Sequence, residues 1–191
     1  MQLQLLCSRS IASVAVLTFG VMSCASAVEY TRVNPTASQI SFTYNQMGTR
    51  MYGTFGKFQA TLDFDTDKPE AARVKLDIDM ASIDAGSDDA NSEMPKPAWF
   101  NTADFPLGTF ESTRVKDLGN NKYLVTGNLT IRGITRQVEV PVVLSPDNEI
   151  GLFTGELVLK RDDFEVGKGE WADTVVSKDI DIKFRVVAPQ R

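Results

Sequence analysis

Chemistry needs side chains that can donate, accept or attack, and this chain offers few. It has no histidine, which removes Ser-His-Asp triads, Cys-His dyads, imidazole bases and every His-ligated metal site. Its two cysteines, Cys7 and Cys24, both fall in the first 27 residues. Carboxylates remain as acid–base candidates, densest at Asp63, Asp65 and Asp67, at Asp88-Asp89 and at Asp162-Asp163. The first group puts oxygens at alternate positions, as calcium loops do, but lacks the Gly at position six and the closing Glu. A solvated turn explains it better. Asp162-Asp163 adjoin Arg161 and read as surface ion pairs of little energetic weight. Asp88-Asp89 suit a helix cap or a solvated loop better than a glycosidase pair. No catalytic or metal-binding residue is assigned, and no cofactor is expected.

The whole chain has 191 residues, 42% hydrophobic and 24% charged, as expected of a folded protein. Its 25 acidic residues outnumber 20 Lys and Arg, for a net charge of −5. Nucleic-acid binding, which rests on clustered cations, is therefore not expected. Residues 1–27 read as a secretory signal. Arg9 supplies the positive start, an apolar run from Ile11 to Met22 follows, and Ala25-Ser26-Ala27 gives a cleavage pattern before Val28. A run of about 12 residues is shorter than the roughly 20 a membrane span requires. Cys24 leaves lipidation as an alternative reading of the same stretch, although Met22 fits that signal poorly. Residues 28–191 then form one exported domain without cysteines, held together by its core alone.

Steps of two run through that domain. Ile40, Phe42 and Tyr44 alternate with polar neighbours, as do Phe58, Ala60, Leu62 and Phe64. Val74, Leu76, Ile78 and Met80 interleave with Arg73, Lys75, Asp77 and Asp79. Such segments are strands with one dry and one wet face. About eight are expected, over 38–45, 51–64, 71–83, 107–117, 121–131, 134–144, 150–160 and 176–187. The fold class is therefore all-β, and long antiparallel strands with short turns suggest an eight-stranded up-and-down barrel. A two-sheet sandwich fits the spacing as well. A membrane barrel fits less well, because the second face carries Lys, Arg and Asp. Pro141 within a strand run suggests a bulge. Residues 84–106 form one long connection without alternation, with room for a short helix near 88–94; connections of this length tend to be lids or binding loops.

The dry face mixes large residues with small ones such as Ala60 and Gly127. That mixture permits either a hollow interior or a packed one. For a hollow, the wall candidates are Phe42, Tyr44, Phe58, Leu76, Ile78, Phe110, Leu129 and Ile131. Met94, Trp99, Phe100 and Trp171, in connections, are candidates for the mouth, since Met and Trp conform to irregular apolar guests. Binding suits a chain without His or reactive Cys better than turnover does.

Several segments resemble the YceI-like family. They are Gly53-Thr54-Phe55-Gly56-Lys57-Phe58, Ser82-Ile83-Asp84-Ala85-Gly86, Asp104-Phe105-Pro106, the stretch Gly127 to Thr135, and Arg161-Asp162-Asp163-Phe164-Glu165-Val166-Gly167. The resemblance covers about residues 30–187. It implies a lipocalin-like eight-stranded barrel exported to the periplasm. It also implies an amphiphilic guest, a polyisoprenoid or isoprenoid quinone, with its tail in the barrel. Many relatives carry Arg-Asp-x-His-Leu before the long connection; here Ser87 to Met94 stands there without Arg or His, so any head-group contact of that His is absent. The stretch Gly167 to Asp173 resembles a subgroup found beside b-type cytochrome membrane proteins. The resemblance therefore implies transient contact with a membrane or such a cytochrome, and a homodimer is common among relatives. Two other readings remain open: an accessory subunit of such a redox system, and a lipid-modifying enzyme using carboxylates.

Overall fold

The computed structural model describes residues 27–169 and 175–191. Strands dominate it. They are β1 (Glu29–Tyr30), β2 (Gln39–Gln46), β3 (Thr49–Phe55), β4 (Phe58–Asp65), β5 (Arg73–Asp79), β6 (Ile83–Asp84), β7 (Leu107–Gly119), β8 (Lys122–Ile131), β9 (Ile134–Asp147), β10 (Ile150–Lys160) and β11 (Asp179–Pro189). One short helix, α1 (Asp88–Glu93), lies in the long connection, capped by the Ser87 hydroxyl accepting from the Ala90 N–H.

All pairings are antiparallel, in one curled sheet of order β1-β4-β5-β7-β8-β9-β10-β11-β2-β3-β6. The expected count of eight strands gives way to eleven among the described residues. Two long runs are broken. The run 51–64 divides at Gly56-Lys57 into β3 and β4, and 71–83 divides at the 3-10 turn Met80–Ser82 into β5 and β6. The two breaks face each other: the Gly56 N–H donates to the Ser82 carbonyl and the Lys57 N–H to the Ser82 hydroxyl. β1 is too short to leave a periodic trace.

Tight hairpins fix the register. Met47-Gly48, Asn120-Asn121 and Arg132-Gly133 each place two successive residues at positive φ, the type I′ geometry that follows the right-handed twist of the strands. Pro141 causes no bulge. It stays in register opposite Leu124, and the irregularities fall instead in β7, at Ser112/Arg114 and Asp117/Gly119. What Pro141 does mark is an end of pairing. Without an N–H to donate, it follows the last β9–β10 partners, Val142 and Gly155, and β10 continues to Lys160 paired with β11 alone.

The inward side chains form two clusters, one towards each end. One gathers Tyr30, Leu62, Phe64, Tyr123, Leu144 and Phe153; the other gathers Ile40, Phe42, Tyr44, Met80, Ile83 and Ile182. The first is a floor. Phe64 meets Tyr123 and Phe153 edge-on at 5.1 and 5.3 Å, and Tyr30 meets Phe153 edge-on at 5.3 Å, the arrangement that ring quadrupoles favour. Tyr30 is 1% and Leu144 2% exposed, so this end is dry and packed.

Candidate functional site

The dry faces of the strands enclose a cavity of about 1100 Å³. Its wall is almost wholly aliphatic and aromatic. Its depth runs from the floor residues Phe64, Tyr123 and Phe153 to a mouth where the exposed residues Asp89, Ser92, Ala98, Lys168 and Gly169 also line it.

Large side chains leave room for this hollow because several rings occupy the space beside glycines of the wall. Phe42 is paired across strands with Gly53, and Phe184 with Gly155. A Cβ at Gly53 would lie 2.2 Å from the Phe42 ring, one at Gly155 2.4 Å from Phe184, and one at Gly127 2.4 Å from Phe110. Each ring therefore rests on bare backbone. Phe42 also packs on Phe55 at 5.2 Å and stacks on Tyr44 at 6.1 Å.

Of the residues singled out from sequence, Phe42, Tyr44, Leu76, Ile78, Phe110, Leu129 and Ile131 line the cavity from the strands, and Met94, Trp99 and Phe100 line it from the long connection. Phe58 is not part of this lining. It packs against the mouth-side cluster and borders a separate outer groove, because its strand begins at the β3–β4 break. Trp171 lies outside the described residues. The floor aromatics Tyr30 and Tyr123 escaped sequence reasoning as a group, since nothing in a strand's alternation says which residues meet at one end.

The mouth is organised by two arginines. Arg161, read from sequence as a surface partner of its acidic neighbours, is 4% exposed. Its guanidinium donates to the carbonyls of Val166 (3.0 Å), Gly167 (2.6 Å), Val176 (3.1 Å) and Ser177 (3.0 Å). A planar fork with five N–H groups can do this. Arg132, in the β8–β9 turn, donates to the carbonyls of Pro97 (2.7 Å) and Glu165, which joins the long connection to the 3-10 turn Arg161–Phe164. The Gly167 and Lys168 N–H groups donate to the Ala98 carbonyl at 2.8 and 3.1 Å. Trp99 lies on Gly167, where a Cβ would come within 2.8 Å of the indole.

Polar lining is sparse and mostly engaged. The Tyr44 hydroxyl donates to the Ala85 carbonyl at 2.8 Å, and burial, then the nearby Asp84 charge, push its pKa above the ordinary value. Asp84 accepts from the Gly86 N–H and the Asn91 amide, which hold its carboxyl below the usual range. At the rim Lys168 pairs with Glu165 at 3.0 Å and Lys96 with Glu93. Asp162 pairs with Lys178 at 2.8 Å. Among the described residues no group of three or more His, Cys, Asp or Glu could hold a metal ion.

A family model described as the YceI-like domain matches residues 31–188. The chain belongs to the YceI-like family. The motif segments read from sequence are the ones that build the breaks and the mouth: Gly53 to Phe58 spans the β3–β4 break, Gly127 to Thr135 forms the β8–β9 hairpin, and Arg161 to Gly167 carries the buried arginine. Phe105 packs against Gly133 of that hairpin, where a Cβ would lie 2.7 Å from its ring. Among curated relatives, a UPF0312 protein of Ectopseudomonas mendocina is 29% identical over 71% of this chain and 76% of its own length. One of Azotobacter vinelandii is 35% identical over 53% of each chain, so this YceI-like chain spans about half the length of that relative. Among solved structures, Burkholderia cenocepacia BcnA superimposes with a TM-score of 0.79 at 38% identity, covering 82% of this chain and 99% of BcnA. A polyisoprenoid-binding domain from Saccharophagus degradans shares the fold, with a TM-score of 0.62 at 16% identity, covering 86% of this chain and 98% of that one.

Proposed function

We propose that this YceI-like protein binds and carries an amphiphilic isoprenoid lipid, a polyisoprenoid or an isoprenoid quinone, with its tail in the cavity and its head at the mouth. The observation that carries this reading is the cavity itself, about 1100 Å³, dry-walled, closed by aromatics at one end and reaching the surface at the other. Its volume lies just above the usual range for small-molecule sites, roughly 300–1,000 Å³. An apolar tail leaving water for such a wall is stabilised by about 25 cal/mol per Å² buried, less the loss of tail freedom. The fold shared with a polyisoprenoid-binding domain agrees with a tail of this kind.

Binding without turnover is the role these side chains suit. The tyrosine hydroxyl in the wall is committed to a backbone carbonyl, and the carboxylates of the lining, Asp89 and Glu93, stand at the rim. The reading places the protein in the periplasm, after removal of residues 1–27. It is tested by titrating the protein with a straight-chain fluorescent fatty acid. Saturable binding is expected, lost in Ile78→Asp, which puts a charge into the wall. Equal binding by both proteins, with folding verified by circular dichroism, would overturn it.

A further inference from the structure

Beside the cavity, one edge of the sheet lacks a paired strand over most of its length. β4 is paired with β5 along Phe58–Asp63, but among the described residues its opposite edge pairs only with β1, at Phe64 and Asp65. Residues 31–38, which join β1 to β2, pass beside it, where Pro35 and Thr36 share an outer groove with Phe58 and Gln59. The bonds of this segment to a strand go to β11. The Asn34 N–H donates to the Val187 carbonyl at 2.8 Å, the Val187 N–H to the Ser38 hydroxyl at 2.9 Å, and the Arg185 guanidinium to the Ala37 carbonyl at 2.9 Å. Among the described residues no hydrogen bond joins the segment to Phe58–Asp63. The seam is six residues long, roughly 20 Å at 3.3 Å per residue.

Side chains on both margins show what the seam connects. Val33 and Ala60 line the cavity, while Pro35, Thr36, Phe58 and Gln59 line a groove on the outer surface. Thr61, exposed and paired with Lys75, borders the cavity as well, beside the small Ala60.

We propose that this seam is a lateral portal, through which the tail of the guest passes as residues 31–38 swing on their attachment to β11. Opening it breaks no bond between paired strands. Its margins, Val33, Pro35 and Phe58, are apolar and suit a hydrocarbon chain in transit. A guest entering sideways need not thread its whole tail end-on past the mouth. This inference rests on the carrier reading and specifies the route of that same cavity.

Stopped-flow binding of cis-parinaric acid tests it. Thr36→Trp fills the outer groove and Pro35→Gly loosens the segment beside the seam, and neither residue lines the cavity. Thr36→Trp is expected to slow association and dissociation together by about fivefold, and Pro35→Gly to speed both, each leaving Kd unchanged, since a portal alters the barrier and not the bound state. Unchanged rates in both variants, with rates that respond to Arg132→Ala at the mouth, would overturn the portal and leave the carrier reading standing. Failure of the unaltered protein to bind the probe would overturn both.

Discussion

The ring of Phe110 lies over Gly127, so close that a Cβ at Gly127 would stand 2.4 Å from the ring and 2.7 Å from the Glu111 carbonyl oxygen. The same device recurs at Phe42 on Gly53 and Phe184 on Gly155. It explains how a wall rich in large aromatic residues still encloses open space. Gly127→Ala is expected to force the Phe110 ring towards the lumen. Stability should fall by about 1–3 kcal/mol, the usual penalty of overpacking, and affinity for an apolar probe should fall with it. Urea unfolding and probe titration read the two effects separately; a variant with native affinity would contradict this account of the hollow.

The aromatic floor makes the opposite prediction. Phe153→Ala removes a ring that meets both Tyr30 and Phe64 edge-on. The expected loss is about 3–5 kcal/mol, typical of a buried Phe deletion. The floor then deepens into the cavity, so a longer-chain probe should gain affinity relative to a shorter one. Thermal unfolding and a chain-length series check the two halves of this expectation.

Much of this was legible in the sequence. Alternation located most of the strands, and parity placed Phe42, Leu76, Ile78 and Leu129 on the face that lines the cavity. Met94, Trp99 and Phe100, singled out by their place in the long connection, line the same cavity. What alternation hides is interruption. Phe58 keeps the parity of its strand, but the break at Gly56-Lys57 sets it at the edge of the cavity wall and beside the outer groove. Pro141 looked like a bulge and is an end of pairing, because pairing on one edge of a strand leaves no trace of what happens on the other. Arg161 stands between Lys160 and Asp162 and looks like surface; its burial follows from four carbonyls that only the folded loop brings together.

Arg161 therefore cannot be exchanged for Lys. A single ammonium lacks the planar spread needed to reach the carbonyls of Val166, Gly167, Val176 and Ser177 together. Arg161→Lys is expected to lower stability by about 2 kcal/mol through buried carbonyls left unpaired. Hydrogen exchange should rise first in residues 161–169 and 175–178. Uniform exchange across the sheet would contradict the local role.

Acid should loosen the mouth before the floor. Hydrogen bonds from Gly86 and Asn91 depress the pKa of Asp84, the bond from Lys178 depresses that of Asp162, and the bond from Lys168 depresses that of Glu165. A carboxyl lowered on folding contributes stability that is complete above its unfolded value, about 4, and is lost as pH falls through the folded one. Burial raises Tyr44 and Tyr123, so those two act at the other extreme: their contribution is complete below about pH 10 and is lost as pH rises beyond it. Urea midpoints from pH 2.5 to 11 should show both declines. The acid limb should be shallower in a protein carrying Asp84→Asn, Asp162→Asn and Glu165→Gln; an unchanged acid limb would contradict this assignment.

Native mass spectrometry of the protein purified gently from its own host, followed by organic extraction and identification of what is released, is the most direct test of the carrier reading. The expected result is one apolar amphiphile per chain, present in the unaltered protein and missing from folded Ile78→Asp. A bare polypeptide mass in every preparation, with an extract free of isoprenoid lipid, would contradict it.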